Sequence, residues 1–230
     1  MRDVLTLTQQ LAHPYSRGFA LTFAAWLHQW RLEPAAVLQH VAASLTLARE
    51  HHFPLLLAHG MTLQGWAQVT YRQEVAGLEQ IRQGLAAYQA TGTGLARAYF
   101  LSLLAEALQK ADQIEAGLAT LAEAATLIET HGEYWWHAEI LRLRGEFLLQ
   151  RAPQALLQAE ALLHQALDVA HRQHARSLEL RAAVSLGRLW QQHGHRERAR
   201  QVLEPLYSWF TEGFDTADLT EAKALLEALS

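Results

Sequence analysis

Gly65-Trp66-Ala67-Gln68-Val69-Thr70-Tyr71-Arg72-Gln73-Glu74-Val75-Ala76-Gly77-Leu78-Glu79-Gln80-Ile81-Arg82-Gln83-Gly84 is the stretch that decides the fold. Two helical patterns flank the polar turn Arg72-Gln73-Glu74, and small residues stand at Gly65, Gly77 and Gly84 with a large one at Ile81. Forty residues on, the same places hold Ala105, Gly117, Ala124 and Leu121. Following the first small position along the chain gives Ala25, Gly65, Ala105, Gly145 and Gly187. The second column is Val37, Gly77, Gly117, Ala159 and Ala199, and the large column is Val41, Ile81, Leu121, Leu163 and Leu203. A fixed step of this length marks a stacked array of similar units rather than one irregular domain. Short side chains at matched heights let two antiparallel helices approach, and a large residue there would overpack by roughly 1–3 kcal/mol.

The spacing predicts five helix pairs over about 16–52, 54–92, 95–132, 134–174 and 175–213, within one repeat domain spanning 1–230. Pro34 is expected at a first helical position, where its missing N–H costs nothing. Thr91-Gly92-Thr93-Gly94, His131-Gly132 and His193-Gly194 are expected helix stops, because glycine takes the left-handed closing conformation. Asp112 is expected to N-cap the helix that follows it. Pro205 should bend or restart the second helix of the fifth pair. Residues 4–12 read as the last helix of a unit without its partner, which predicts that the chain is a fragment of a longer protein. Residues 215–229 read as a terminal helix, with Leu219, Ala222, Leu226 and Leu229 covering the last pair.

Composition narrows the function classes. Half of the 230 residues are hydrophobic and 18% are charged, enough for a large core. A net charge of -4 gives no electrostatic reason to expect nucleic acid. The sequence has no apolar run long enough to span a membrane. Cysteine is absent, which removes disulfides and thiolate metal sites and suits a cytoplasmic protein.

Catalytic signatures are missing: the chain has no phosphate-binding loop, no GxSxG elbow and no HExxH. No enzyme activity, cofactor or metal is expected. His164, His171 and His174 share a helix, but solvated or turn-capping histidines account for them better than a metal site does. Glu139 and Glu146 lie two turns apart, which alone makes no acid–base pair.

The small–small–large–small spacing resembles the tetratricopeptide repeat, with Gly65, Gly77, Ile81 and Gly84, and likewise Ala105, Gly117, Leu121 and Ala124, in its signature places. The units are longer than usual and lack the terminal proline. In this they resemble the superhelical arms of bacterial STAND-type signalling ATPases. The phrases Ala24-Ala25-Trp26-Leu27-His28-Gln29 and Trp209-Phe210-Thr211-Glu212-Gly213-Phe214 are similar to the C-terminal arm of large predicted ATPases, some fused to a class III adenylate/guanylate cyclase. The resemblance implies an all-α, right-handed superhelix whose first helices line an inner wall. It also implies a non-catalytic scaffold for signal transduction that holds a protein, peptide or small inducer in its concave groove.

On that wall the resemblance places Phe19, Trp26, Trp30, His59, Trp66 and Tyr99 toward one end and Arg142, Arg181 and Arg188 toward the other. Tryptophan and arginine are common anchors of recognition surfaces. The expected groove grips an apolar or aromatic group at one end and an anionic or polar group at the other. Two alternatives compete. The tryptophans could simply fill inter-helix space while the arginines pair with glutamates one turn away. The array could also be a structural homo-oligomerisation module without a ligand.

Overall fold

A computed structural model describes residues 2–230, with the side chains of 3–230. Among the described residues there are twelve α-helices, two single 3-10 turns and no strand. The chain divides into two compact units, 1–113 and 114–230.

The first unit holds α1 (Arg2–Gln10), α2 (Pro14–Trp30), α3 (Pro34–Glu50), α4 (Pro54–Arg72), α5 (Ala76–Ala90) and α6 (Arg97–Lys110). The second holds α7 (Ile114–His131), α8 (His137–Arg151), α9 (Leu156–Arg172), α10 (Arg176–Gln192), α11 (Arg196–Ser208) and α12 (Ala217–Leu229). The third helix pair of the sequence is thus divided, with α6 in one unit and α7 in the other. Within each unit, helices pack on their neighbours in the chain: α2 on α3, α3 on α4 and α4 on α5, then α8 on α9, α9 on α10 and α10 on α11. In the first unit α2, α4 and α6 also touch in series, so the first helices of successive pairs form one layer.

The repeating small residues carry the pair contacts. A Cβ at Gly84 would run into the Thr62 hydroxyl and stand 2.8 Å from the Thr62 backbone nitrogen. At Gly145 it would stand 3.1 Å from the Leu163 side chain; at Gly117 it would enter the ring of Phe147 on α8, a contact with the next pair rather than within its own. Val41, Ile81, Leu121, Leu163 and Leu203 are all buried. The large column therefore fills the space on either side of each close approach.

Most helix ends follow one device. Prolines 14, 34 and 54 open α2, α3 and α4 at the first helical positions. Helices close on a left-handed residue at Ala12, Leu32, His52, Gln73, Gly92, Asp112, Gly132, His174 and Gly194. The next amide then reaches back five residues: Glu33 to the carbonyl of His28, Phe53 to Ala48, Gln113 to Leu108, Ala175 to Ala170 and His195 to Trp190. Asp112 is one of these closing residues (φ 56°) rather than the N-cap expected of it, which would be extended. α11 does not restart at Pro205 but passes through it and ends three residues later at Ser208.

α12 buries Leu219, Ala222, Leu225 and Leu229 in the core formed with α10 and α11, and Leu226 packs at its margin. A Cβ on Gly187 would touch Leu225 at 3.2 Å. The terminal helix thus covers the apolar face that stacking would otherwise leave open.

Candidate functional site

α2 carries aromatics at helical spacing: Tyr15, Phe19, Phe23, Trp26 and Trp30. Residues three and four apart share a helix face, and here the rings touch in sequence. Tyr15 lies 6.1 Å from Phe19, Phe19 4.5 Å from Phe23, Phe23 5.3 Å from Trp26 and Trp26 5.9 Å from Trp30. Tyr15, Phe19 and Phe23 are exposed, whereas Trp26 is buried. Beside the exposed part, Val4 and Thr8 of α1 and Tyr15, Ser16, Phe19, Ala20 and Phe23 of α2 line an open cleft of about 410 Å³. That volume lies in the range of small-ligand sites, about 300–1,000 Å³.

The ladder leads inward to a closed aromatic cluster. Trp26 meets His59 of α4 at 5.5 Å and Tyr99 and Phe100 of α6 at 5.1 and 5.5 Å. Tyr88 of α5 stacks on His59 at 5.2 Å. The Tyr99 hydroxyl donates to Gln29 Oε1 across 2.7 Å. Burial holds the His59 pKa down to about 4, so its ring is neutral at pH 7. Trp66 is buried deeper along α4, and its Nε1–H donates to Glu106 Oε2 across 2.7 Å.

The arginine end is arranged otherwise. Glu139 is 1% exposed and accepts two bonds from Arg142, at 3.0 and 2.6 Å. Arg142 also pairs with Glu146 at 2.7 Å. Arg181, itself buried, donates from Nε to both carboxylate oxygens of Asp218 at 3.0 Å, and its Nη1 lies 3.7 Å from Glu139. Arg188 pairs with Glu221 of α12. Burial alone would raise the Glu139 pKa, but the Arg142 and Arg181 guanidinium groups outweigh it and hold the carboxyl below its usual value. Burial prevails at Asp218, whose single close arginine leaves the carboxyl above its usual range.

Of the nine residues projected onto the wall, Phe19 and Arg188 are well exposed, and Trp30 and Arg142 are half-buried. Trp26, His59 and Arg181 keep about a tenth of their surface or less, and Trp66 and Tyr99 lie inside the helix packing. The structure brings Phe19, Trp26, Trp30, His59 and Tyr99 into one cluster or its approach. It ties Arg142 and Arg181 into one ion-pair network, with carboxylates of the same unit already facing them. Tyr15 and Phe23 were missed, though aromatics at 15, 19 and 23 form an (i, i+4) series that sequence spacing could have flagged. Among the described residues no group of three or more histidines and carboxylates is placed to hold a metal, and no helix is long and apolar enough to cross a membrane.

No protein-family model and no curated protein matches the chain. Solved structures do match it. The crystal structure of a point variant of the nearly identical TPR-like repeats of a Podosopora anserina putative kinesin light chain superposes with a TM-score of 0.57 at 16% identity. It covers 85% of this chain and 95% of that one. The crystal structure of the same Podosopora anserina protein without that change gives 0.56 at 17% identity with the same coverage. The fold is TPR-like. At these identities the likeness concerns architecture alone, and it agrees with the all-α array of chain-neighbour pairs described above.

Proposed function

We propose that this chain is a non-catalytic recognition scaffold whose working surface is the aromatic face of α2 in the first unit. The observation that carries this reading is the exposure of Tyr15, Phe19 and Phe23 on one helix face beside the cleft lined by α1. Exposed aromatics in series provide large contact area at small conformational cost, and stacked helix pairs commonly present such surfaces to partners. A protein, peptide or small inducer with an apolar or aromatic group is the partner class that fits. The three arginines of the second unit already face carboxylates of their own unit, so the proposal rests on the aromatic end.

In its wider setting we read the chain as the sensor arm of a bacterial signalling ATPase. The repeat spacing and the longer helices support that reading. The coding sequence on either side tests it: a Walker-type phosphate loop supports the arm, and a transferase domain or a membrane-spanning segment in its place overturns it. Sedimentation equilibrium with Phe19→Glu tests the surface. A wild-type monomer unaffected by the change supports recognition of another molecule. A wild-type dimer that the change dissociates replaces recognition with homo-oligomerisation.

A further inference from the structure

Buried polar groups without a partner are rare in folded proteins, and each calls for a reason. The first unit collects several in one place. Trp26 Nε1, Gln29 Nε2 and both ring nitrogens of His59 are buried with no hydrogen-bond partner in the protein. The three residues are each more than nine-tenths buried. They are neighbours: the rings of Trp26 and His59 are 5.5 Å apart, and Tyr99, 5.1 Å from Trp26, holds the amide oxygen of Gln29. Leucine or phenylalanine would fill the same space without stranding a donor, so packing alone does not account for these side chains.

The chemistry of the set selects a ligand. Trp26 offers one N–H, Gln29 an NH2, and a neutral imidazole one N–H and one bare nitrogen. Donors therefore outnumber acceptors, with a single acceptor on His59. An ionised group placed here would lose its water to neutral donors only, an unfavourable exchange. A carboxamide suits the set: its carbonyl oxygen accepts two of the donors, and its NH2 donates to the bare nitrogen of His59.

Resting on the reading of α2 as the recognition face, we propose that Trp26, Gln29 and His59 are the polar end of a site for an aromatic carboxamide. The aromatic body lies against Phe19 and Phe23, and the neutral amide reaches the buried donors past Trp26. The ring-to-ring contacts from Phe19 to Phe23 and on to Trp26, 4.5 and 5.3 Å, join the exposed ladder to the buried donors, and Trp26 has to move aside to admit the amide. The amide belongs either to a small molecule or to a peptide carrying an aromatic side chain, and both present the same chemistry to the site.

The test is a titration of the 15N-labelled protein, following the indole N–H of Trp26 (assigned with Trp26→Phe) and the ring nitrogens of His59. The probes are phenylacetamide, N-acetylphenylalaninamide, phenylacetate and 2-phenylethylamine. The expected result is a saturable shift of both signals with the carboxamides, at affinities roughly tenfold or more above that of the amine. His59→Leu should abolish the shift of the Trp26 indole without lowering the melting temperature; Gln29→Leu should abolish it as well, with some loss of stability because it also removes the acceptor of the Tyr99 hydroxyl. The tighter of the two carboxamides identifies the source as small molecule or peptide. If all four probes bind alike and move the resonances of Phe19 and Phe23 but not the Trp26 indole, the carboxamide site is overturned and the aromatic surface stands. If no probe moves either region, both fall.

Discussion

A Cβ built on Gly65 would stand 2.5 Å from the carbonyl oxygen of Gly77, and one built on Gly77 would stand 2.5 Å from the carbonyl oxygen of Gly65. The two backbones touch where neither residue has a side chain, and α4 and α5 are locked at that height. Alanine is favoured over glycine inside a helix by about 1 kcal/mol, so intrinsic propensity alone makes Gly65→Ala stabilising. The contact reverses the sign. Gly65→Ala should destabilise by roughly 1–3 kcal/mol, because backbone atoms cannot swing aside. Gly187→Ala, which meets the end of Leu225 at 3.2 Å and Ala199 at an ordinary 3.8 Å, should change stability by less than about 1 kcal/mol. Urea denaturation midpoints of the two variants check the contrast.

Asp112 gives a second test of sign. As a left-handed closing residue it carries a steric cost of about 1 kcal/mol that glycine avoids. Asp112→Gly should therefore stabilise the chain by up to about 1 kcal/mol. Were its carboxylate capping α7, Asp112→Ala would cost ~1 kcal/mol and glycine would bring no gain. Thermal melts of both variants separate the two roles.

These two positions show what the sequence could and could not convey. The small-residue columns were legible because a close backbone approach admits few residue types, and Gly65 and Gly77 do meet across α4 and α5. The closing role of Asp112, like that of Leu32 and His52, was hidden, since a left-handed turn leaves no reliable mark unless glycine fills it. At the candidate site, the wall positions came from the resemblance; Trp26, Trp30, His59 and Tyr99 lie in mutual ring contact in the first unit. Spacing along one helix could not tell that Trp66 finds Glu106, forty residues away, or that Arg181 finds Asp218 on the terminal helix. Burial and pairing of long polar side chains depend on the neighbouring helix, which single-helix periodicity does not describe.

His59 makes the stability of the first unit depend on pH. Its folded pKa, depressed by burial to about 4, lies below the unfolded value near 6.5. Above pH 6.5 the ring is neutral in both states and nothing is lost. Between 6.5 and 4 the unfolded chain takes up a proton that the folded chain refuses, so stability falls by on the order of 3 kcal/mol and levels off below. His59→Leu should remove this component and, by deleting stranded polar atoms, leave stability at pH 7 unchanged or higher. Urea midpoints from pH 7.5 to 4 for both proteins measure it.

Glu139 and Asp218 share Arg181 yet should respond differently to neutralisation. Glu139→Gln leaves Arg142 and Arg181 short of their buried counter-charge and should cost roughly 3 kcal/mol or more. Asp218→Asn replaces a carboxyl whose ionised form burial already disfavours and keeps an acceptor for the Arg181 guanidinium, so its effect should stay within about 1 kcal/mol. The Glu139 contribution is present above the usual carboxylate pKa and disappears as the pH falls through its depressed folded value. Denaturation of the two single variants at pH 7 provides the comparison.

The exposed ladder bears most directly on the claim that this chain is built to hold another molecule. Tyr15, Phe19 and Phe23 are 40, 43 and 38% exposed, so a surface kept for a partner should be removable without harm to the fold. The measurement is the melting temperature of the triple variant Tyr15→Ser, Phe19→Ser, Phe23→Ser beside its binding of the apolar dye ANS. A melting temperature within a few degrees of wild type, with dye binding lost, is the predicted result. A collapse of the melting temperature would show that the three rings are structural packing, and would contradict the recognition surface.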